Sequence, residues 1–421
     1  AELKDGLLRD YISSITNEED IELVGKWLNE EAKRRHMARI TINRDRRADT
    51  ATTEETIPRR ITSLDELPTN LPSNLQMQLY YSTMAANIPM INRILSDFHR
   101  IRLETRDKYR FRRLAARDLR KALYEDNTGE SPPPGMAISI MEHLTHPNIV
   151  DTSELHLPDL PLVEKFVIHP FSNAEVKLAL KRIRSTAAGP DKVNGKTVCE
   201  LPPEIWRLFF NKIIELQHMP ESWKAAKLSI IDKDADTETP RDTHEKSRWR
   251  PICVASAVQR TFFVVIAKRL TSYATSHGLV GGYQRGFIPE VDGCMLNIFE
   301  MRQWLAESHE HNAVCIDISD AYGSISHNIL EVMLSRIIHP ASLNIFRAAI
   351  STHIHYGEET ITTRRGTAQG SAISPILFNM ALDIVLNDES KLKIRAFADD
   401  ITILSTGIEA EEDTKMVVES L

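Results

Sequence analysis

Apolar positions along the chain fall into two periods, one helical and one of strand type. Ser172 and Glu175 form a Ser-x-x-Glu capping box, and Val176, Ala179, Leu180 and Ile183 follow as one apolar stripe. Phe171 and Val176 stand where a hydrophobic staple would pack. Ala187-Ala-Gly-Pro-Asp191 ends this predicted helix with a turn signal. Met295–Leu305, Ile329–Ile338 and Ile376–Val385 carry the helical period again, the last opened by Ser374 as N-cap and Pro375 as first helical residue. Leu228–Ile231 and Ala313–Ile318 are short apolar runs that predict strands, the second of them buried. Leu392–Ala398 and Ile401–Leu404 flank Asp399-Asp400 and predict a β-hairpin with acidic residues at its turn. Helices and strands do not alternate regularly, so the expected class is α+β, and no internal repeat is present.

The N-terminal third is less patterned. Ile21–His36 has weak helical periodicity, Arg44–Pro72 reads as a polar linker or surface loop, and Ile88–Tyr124 reads as a helix with a strongly basic face. Ser131-Pro-Pro-Pro-Gly135 breaks that helix and marks a domain boundary. Residues 145–170 are punctuated by proline and partly extended.

Composition changes this picture in three ways. The chain has 421 residues, 42% hydrophobic and 26% charged, which is globular and sufficient for two or three domains. No apolar run reaches the roughly 18 residues of a membrane span. Cys199, Cys253, Cys294 and Cys315 form no CxxC pair or zinc-finger spacing, and read as small buried hydrophobes, free thiols of a reducing compartment. The net charge of −7 argues against a nucleic-acid partner, yet ten Lys/Arg stand against three Asp/Glu from His99 to Lys121, and a second basic cluster runs from Lys33 to Arg47. Local patches, not totals, make phosphate contacts. The chain does not begin with Met and stops inside a predicted helix, Glu409–Leu421, as a piece of a longer protein would.

The chemistry lies in carboxylates. Aspartate is disfavoured in strands, and Asp399-Asp400 place like charges side by side between apolar runs. Asp317 ends the apolar run Ala313-Val-Cys-Ile-Asp317, where a lone buried charge is costly unless paired or bound to metal. An isolated Asp-Asp pair is usually an acidic turn, but a third strand carboxylate makes a set suited to two-metal phosphoryl transfer. Hard Mg²⁺ ions take oxygen ligands and keep waters and substrate phosphates. Asp317 and Asp399 are expected to bind both ions, with Asp400 the less direct partner; Mn²⁺ is the alternative ion.

Taken together, these segments resemble the fingers and palm of reverse transcriptases, over roughly residues 165–405. In chain order the blocks are Ala188-Gly-Pro-Asp191, Arg248-Trp-Arg-Pro-Ile252, Gln284-Arg-Gly-Phe287, Asp292-Gly-Cys294 with Asn297, Asp317-Ile-Ser-Asp-Ala-Tyr-Gly-Ser-Ile-Ser-His327, Arg365-Gly-Thr-Ala-Gln-Gly-Ser-Ala-Ile-Ser-Pro-Ile-Leu-Phe-Asn379, and Phe397-Ala-Asp-Asp400. The Gln284 block and the Ser326-His327 ending are similar to non-LTR retrotransposon enzymes, including the clade that inserts into ribosomal DNA. The resemblance implies a right-hand polymerase fold with a mainly helical N-terminal extension. It divides the chain into 1–95, a region of unknown role; 96–160, a basic RNA-binding extension and linker; 161–310, fingers; and 311–421, an incomplete palm without its thumb.

Residue by residue, the resemblance makes Tyr322 a steric gate that clashes with a ribose 2′-hydroxyl. Arg250 becomes the fingers arginine on the triphosphate, with Lys233 a weaker member of the same cluster. Gln369 and Gly370 would contact nucleotide or template. Gln284, Arg285 and Gly286 would line the template path. Arg110, Arg112 and Arg113, interleaved with Tyr109 and Phe111, would bind RNA by phosphate contact and stacking. Read without the resemblance, Tyr322 is a core aromatic, Arg250 a surface ion pair, Lys233 a solvated loop lysine, and the basic segment a solvated amphipathic helix. The implied partners are template RNA, a DNA primer at a nicked chromosomal target and dNTP, with no membrane, and the implied location is nuclear or cytoplasmic, nuclear at the point of action. One departure stands out: many relatives have Lys-Ala-Phe-Asp where this chain has Asp320-Ala-Tyr-Gly323. That change keeps open a non-catalytic RNA-binding remnant of such an element. A viral RNA-dependent RNA polymerase also uses palm carboxylates, but usually shows Gly-Asp-Asp and lacks the gate aromatic.

Overall fold

The computed structural model describes residues 2–54, 88–89, 91–93, 132–133, 135–153, 160–234, 241–386, 393–407 and 409–420. The chain divides into two units, residues 1–33 with 130–421 and residues 34–129. Its elements in order are α1 (Glu2–Ser13), α2 (Glu18–Glu54), α3 (Met136–Thr145), α4 (Asn173–Ile183), α5 (Pro203–Leu216), β1 (Ala225–Asp232), β2 (Trp249–Ala255), α6 (Ala257–Ser276), α7 (Gly293–Glu307), β3 (His311–Asp317), α8 (His327–Ile337), α9 (Pro340–Ile350), β4 (His353–Tyr356), β5 (Glu359–Thr362), α10 (Ser374–Leu386), β6 (Lys393–Phe397), β7 (Asp400–Thr406) and α11 (Glu409–Ser420). The α+β expectation holds.

In the first unit, the large core gathers around α4, α5 and α6. Trp206, Phe209, Phe210, Trp223, Phe262 and Phe263 are fully buried. Phe210 meets Phe262 edge-on at 5.4 Å between centroids, and Phe171 meets Phe262 at 5.3 Å. Leu8, Ile12, Ile21, Val24 and Leu28 join the same cluster, so residues 2–33 belong to this core. The predicted start of α4 is present in full. Ser172 Oγ accepts from the Glu175 amide while Glu175 Oε2 accepts from the Ser172 amide, and the whole stripe from Val176 to Ile183 is buried. Glu175 also takes two hydrogen bonds from Arg269 of α6, at 2.7 and 2.9 Å. One carboxylate thus caps α4 and ties it to α6.

A four-stranded sheet has the order β2-β1-β4-β5, with β1 antiparallel to β2 and parallel to β4. Helix α3 covers one face of it, packing Ala137 and Met141 against Ala226, Leu228 and Cys253. A three-stranded antiparallel sheet has the order β3-β7-β6. Its one face, Ile394, Ala396, Ile401 and Ile403, packs on Phe378, Leu382 and Leu386 of α10. Strands β4 and β5 follow α9 in the chain yet pair into the first sheet, so the two sheets do not separate at residue 310.

The structure corrects four expectations. Arg44–Glu54 is the end of α2, not a loop: its Arg, Ala and Glu favour a helix and no Gly or Pro interrupts it. Residues 55–72 lie outside the described residues. Strand β3 is not buried: it is an edge strand, and Asp317 is exposed at its end. Ser374 is the first helical residue of α10 and donates its hydroxyl to the Ala368 carbonyl at 2.9 Å, while the helix takes its first amide bond on Ile373 O. Of the free cysteines only Cys253 is buried; Cys294 and Cys315 are exposed.

Candidate active site

The three-stranded sheet decides where the carboxylates stand. In an antiparallel pair, directly opposed residues share a face. Register places Asp317 of β3 opposite Asp400 of β7, and Asp400 opposite Phe397 of β6. The isoleucines next to them point into the core, so period-two alternation sends both aspartates to the open face. Opposed side chains in such a pair begin about 4.5–5.5 Å apart at Cβ, where like charges repel. Asp399 lies in the turn between β6 and β7, following Ala398, whose φ of 55 is left-handed. A non-glycine residue there costs about 1–2 kcal/mol. Burial, then the neighbouring charges of Asp400 and Asp317, raise the Asp399 pKa above the usual carboxylate range, while Arg250 pulls it down.

This is an oxygen-only donor set of like charges, which fits a hard divalent cation. Among the described residues no group of three His, Cys, Asp or Glu side chains is gathered closely enough to hold a metal ion by itself. Mg²⁺ does not need such a group, since it keeps waters and substrate phosphates.

The end of the first sheet lies within electrostatic reach of the carboxylates. Arg250 is exposed on β2, opposite Ile231. Lys233 sits just past β1, and its pKa is lowered by desolvation and then by Arg250 and Arg241, against the pull of Asp317 and Asp320. The ring of Tyr322 stacks on Phe378 at 4.9 Å and 27°. Burial, with Asp399 adding to it, pushes the Tyr322 phenol up to about 12, so it stays neutral at ordinary pH. Asp317, Asp399, Arg250, Lys233 and Tyr322 thus form one electrostatic neighbourhood.

The loop 365–370 joins the two sheets. The Gly366 amide donates to Ile325 O at 2.7 Å and the Thr367 amide to Tyr322 O at 2.8 Å. Gln369 O accepts from the Cys253 amide at 2.8 Å. Gly370, at φ +110, lets this approach happen: a Cβ there would lie 2.7 Å from Cys253 O. Gln369 and Gly370 are therefore placed beside the β2 strand that carries Arg250. His327 Nε2 lies 2.8 Å from Gly366 O, fastening the loop from below.

Gln284, Arg285 and Gly286 are each engaged by partners within the protein. Gln284 is 4% exposed, and its amide is spent on the Ala398 turn. Arg285 pairs with Glu300 at 2.7 Å and reaches Asn297 at 3.2 Å. Gly286 leaves no room for a side chain, since a Cβ would run into the Ala398 amide nitrogen. Arg110, Arg112 and Arg113 lie outside the described residues.

Two features carry no local sequence signal. Arg248, beside Arg250 in the same block, is buried and grips Asp232 with two hydrogen bonds at 2.8 and 3.0 Å, holding that carboxyl below its ordinary range. Only strand pairing brings the two together, so local spacing gives no sign of it. Asp320 has a left-handed φ of 50, and its carboxylate fills the space over Gly323, where a Cβ would collide with Oδ2. The carboxylate missing at residue 323 has a neighbour in its place.

The register thus brings Asp317 and Asp400 together beside the turn that carries Asp399, with Arg250, Lys233 and Tyr322 in electrostatic reach. Residues 233–421 match the family described as reverse transcriptase (RNA-dependent DNA polymerase), and the chain carries a reverse transcriptase domain with fingers and palm. It is similar, at 31% identity over 261 residues, to the retrovirus-related Pol polyprotein of the type-1 retrotransposable element R2 of Popillia japonica, covering 56% of this chain and 35% of that protein. The Pol polyprotein of the type-2 element R2DM of Drosophila melanogaster is 29% identical over 52% of this chain and 22% of its own length. The RNA-directed DNA polymerase from the mobile element jockey of Drosophila melanogaster is 23% identical over 58% of this chain and 28% of its own. These relatives are proteins of retrotransposable or mobile elements. The chain spans about a third or less of the length of these relatives.

Proposed function

We propose that this chain catalyses RNA-directed DNA synthesis. A primer 3′-hydroxyl attacks the α-phosphate of a dNTP and pyrophosphate leaves. The observation that carries the reading is the Asp317–Asp400 register on the open face of the sheet, with Asp399 in the adjoining turn. Two Mg²⁺ ions held by Asp317, Asp399 and Asp400 would supply charge neutralisation at the attacking and leaving oxygens. Mn²⁺ could replace them. Arg250 is placed to grip the triphosphate with its fixed guanidinium fork, and Lys233 to add a point charge. Tyr322, neutral and packed on Phe378, is a rigid wall against a 2′-hydroxyl. Gln369 and Gly370 border the nucleotide from the β2 side.

The natural template is the element's RNA and the primer a nicked chromosomal end, which sets the reaction in the nucleus. The basic segment around Arg110, Arg112 and Arg113 would hold the RNA. The RNA template and DNA product are supported by the similarity to the RNA-directed DNA polymerase of jockey.

Primer extension on an RNA template with Mg²⁺, comparing dNTP with rNTP, tests the reading. Preferential dNTP incorporation supports it. A preference for rNTP points to an RNA polymerase instead. RNA binding without any incorporation leaves the non-catalytic remnant as the better account.

A further inference from the structure

Gln284 does more than fill space behind the palm. Segment Tyr283–Gly286 runs beside β6 as an added strand: the Arg285 amide donates to Ala396 O and the Ala396 amide to Tyr283 O, both at 2.9 Å. From this segment the Gln284 side chain reaches the turn that follows. Its Oε1 accepts from the Ala398 amide at 2.8 Å, and its Nε2 donates to Ala398 O at 3.1 Å. Oε1 accepts a second time, from the Gly286 amide at 2.9 Å. One primary amide therefore satisfies both backbone groups of the left-handed residue immediately before Asp399. Asn379 of α10 fixes the segment from its other side, donating to Gly286 O at 2.8 Å.

We infer that Gln284 is a positioning residue that holds the Ala398 turn and thereby aims Asp399 and Asp400 at the reacting phosphate. This inference rests on the polymerase reading for its consequence, but not for the clamp. A primary amide is required chemically: it must accept twice and donate once. Glutamate keeps the acceptors but turns a carboxylate oxygen toward Ala398 O. Methionine keeps the volume and loses every hydrogen bond. Asparagine is a methylene too short to reach.

The experiment compares wild type, Gln284→Met and Gln284→Asn in full chains matched by circular dichroism. Amide hydrogen exchange of the Lys393–Ile401 segment reads the clamp directly. Single-nucleotide incorporation on an RNA template reads its consequence. We expect faster exchange at Ala398 in both variants, with kcat falling by about 10²-fold, as a misplacement near 1 Å produces. The KM for dNTP and the affinity for template RNA should stay within about twofold, because Arg250 and the basic segment are untouched. Unchanged exchange at Ala398 overturns the clamp. Faster exchange with unchanged kcat in an active wild type overturns its role in aiming the aspartates. Weakened RNA affinity with kcat unchanged returns Gln284 to the template path. If exchange responds while wild type incorporates nothing, the clamp stands and the polymerase reading fails.

Discussion

At the scale of the residue, two arginines in one block have opposite duties. Arg248 is 4% exposed and Asp232 lies beneath it, so the pair is a buried salt bridge. Removing one partner strands a buried charge, and Arg248→Ala should cost about 3–5 kcal/mol in denaturant unfolding. Arg250, exposed on β2, should cost little stability when changed to alanine. Its loss should instead raise the KM for dNTP about tenfold, the loss of a charge-assisted, bidentate contact to phosphate. Steady-state kinetics and unfolding on the two variants separate the roles. The sequence alone could not: both arginines stand in Arg248-Trp-Arg-Pro, and only the pairing with Asp232, 16 residues away, tells which one turns inward. Asp317, Asp399 and Asp400 were legible because packing gives no reason for acids to interrupt apolar runs, whereas metal chemistry does. That Asp317 would be exposed was not legible, since an apolar edge strand reads like a buried one. The hold of Gln284 on Ala398 was not legible for a similar reason, that partner being 114 residues away.

At the scale of the element, helix starts marked by local chemistry were readable and those set by distant contacts were not. The Ser172–Glu175 box predicted α4 because every atom it needs lies within one turn. Ser374 looked like the same signal, but its hydroxyl is drawn to Ala368 O by the loop that joins the sheets. Glu175 gives a pH signature. Burial raises its pKa, but hydrogen bonds from Arg269 and Ser172 outweigh this and hold it at about 2, below its ordinary 4.5. A depressed carboxylate stabilises the fold above its unfolded pKa and loses that stabilisation as pH falls toward the folded value. Stability should therefore decline between about pH 4.5 and pH 2, and Glu175→Gln should flatten that decline. Denaturant midpoints across this range check it. A decline equally steep in Glu175→Gln would assign it to other carboxylates.

At the scale of the whole molecule, the α+β class and the order of the blocks followed from the chain, while the path between sheets did not. Pairing of β4 with β1 carries a late segment back into the first sheet, a long-range event that no local period announces. The aromatic cluster around Phe262 holds α4, α5 and α6 together, so Phe262→Ala should destabilise the unit by about 3–5 kcal/mol in unfolding experiments. That cluster lies apart from the carboxylates; it supports the frame on which β1 and β2 present Arg250 and Lys233. If this frame brings Asp317, Asp399 and Asp400 together for nucleotidyl transfer, removing one carboxylate charge must stop the chemistry. Single-turnover dNTP incorporation on an RNA template with Mg²⁺ decides it, wild type against Asp399→Asn, with folding verified for both. Wild type should incorporate, and the variant should lose about 10³-fold or more, the several kcal/mol of charge stabilisation that such a ligand supports. Equal rates in the two proteins would show that these carboxylates do not carry the reaction.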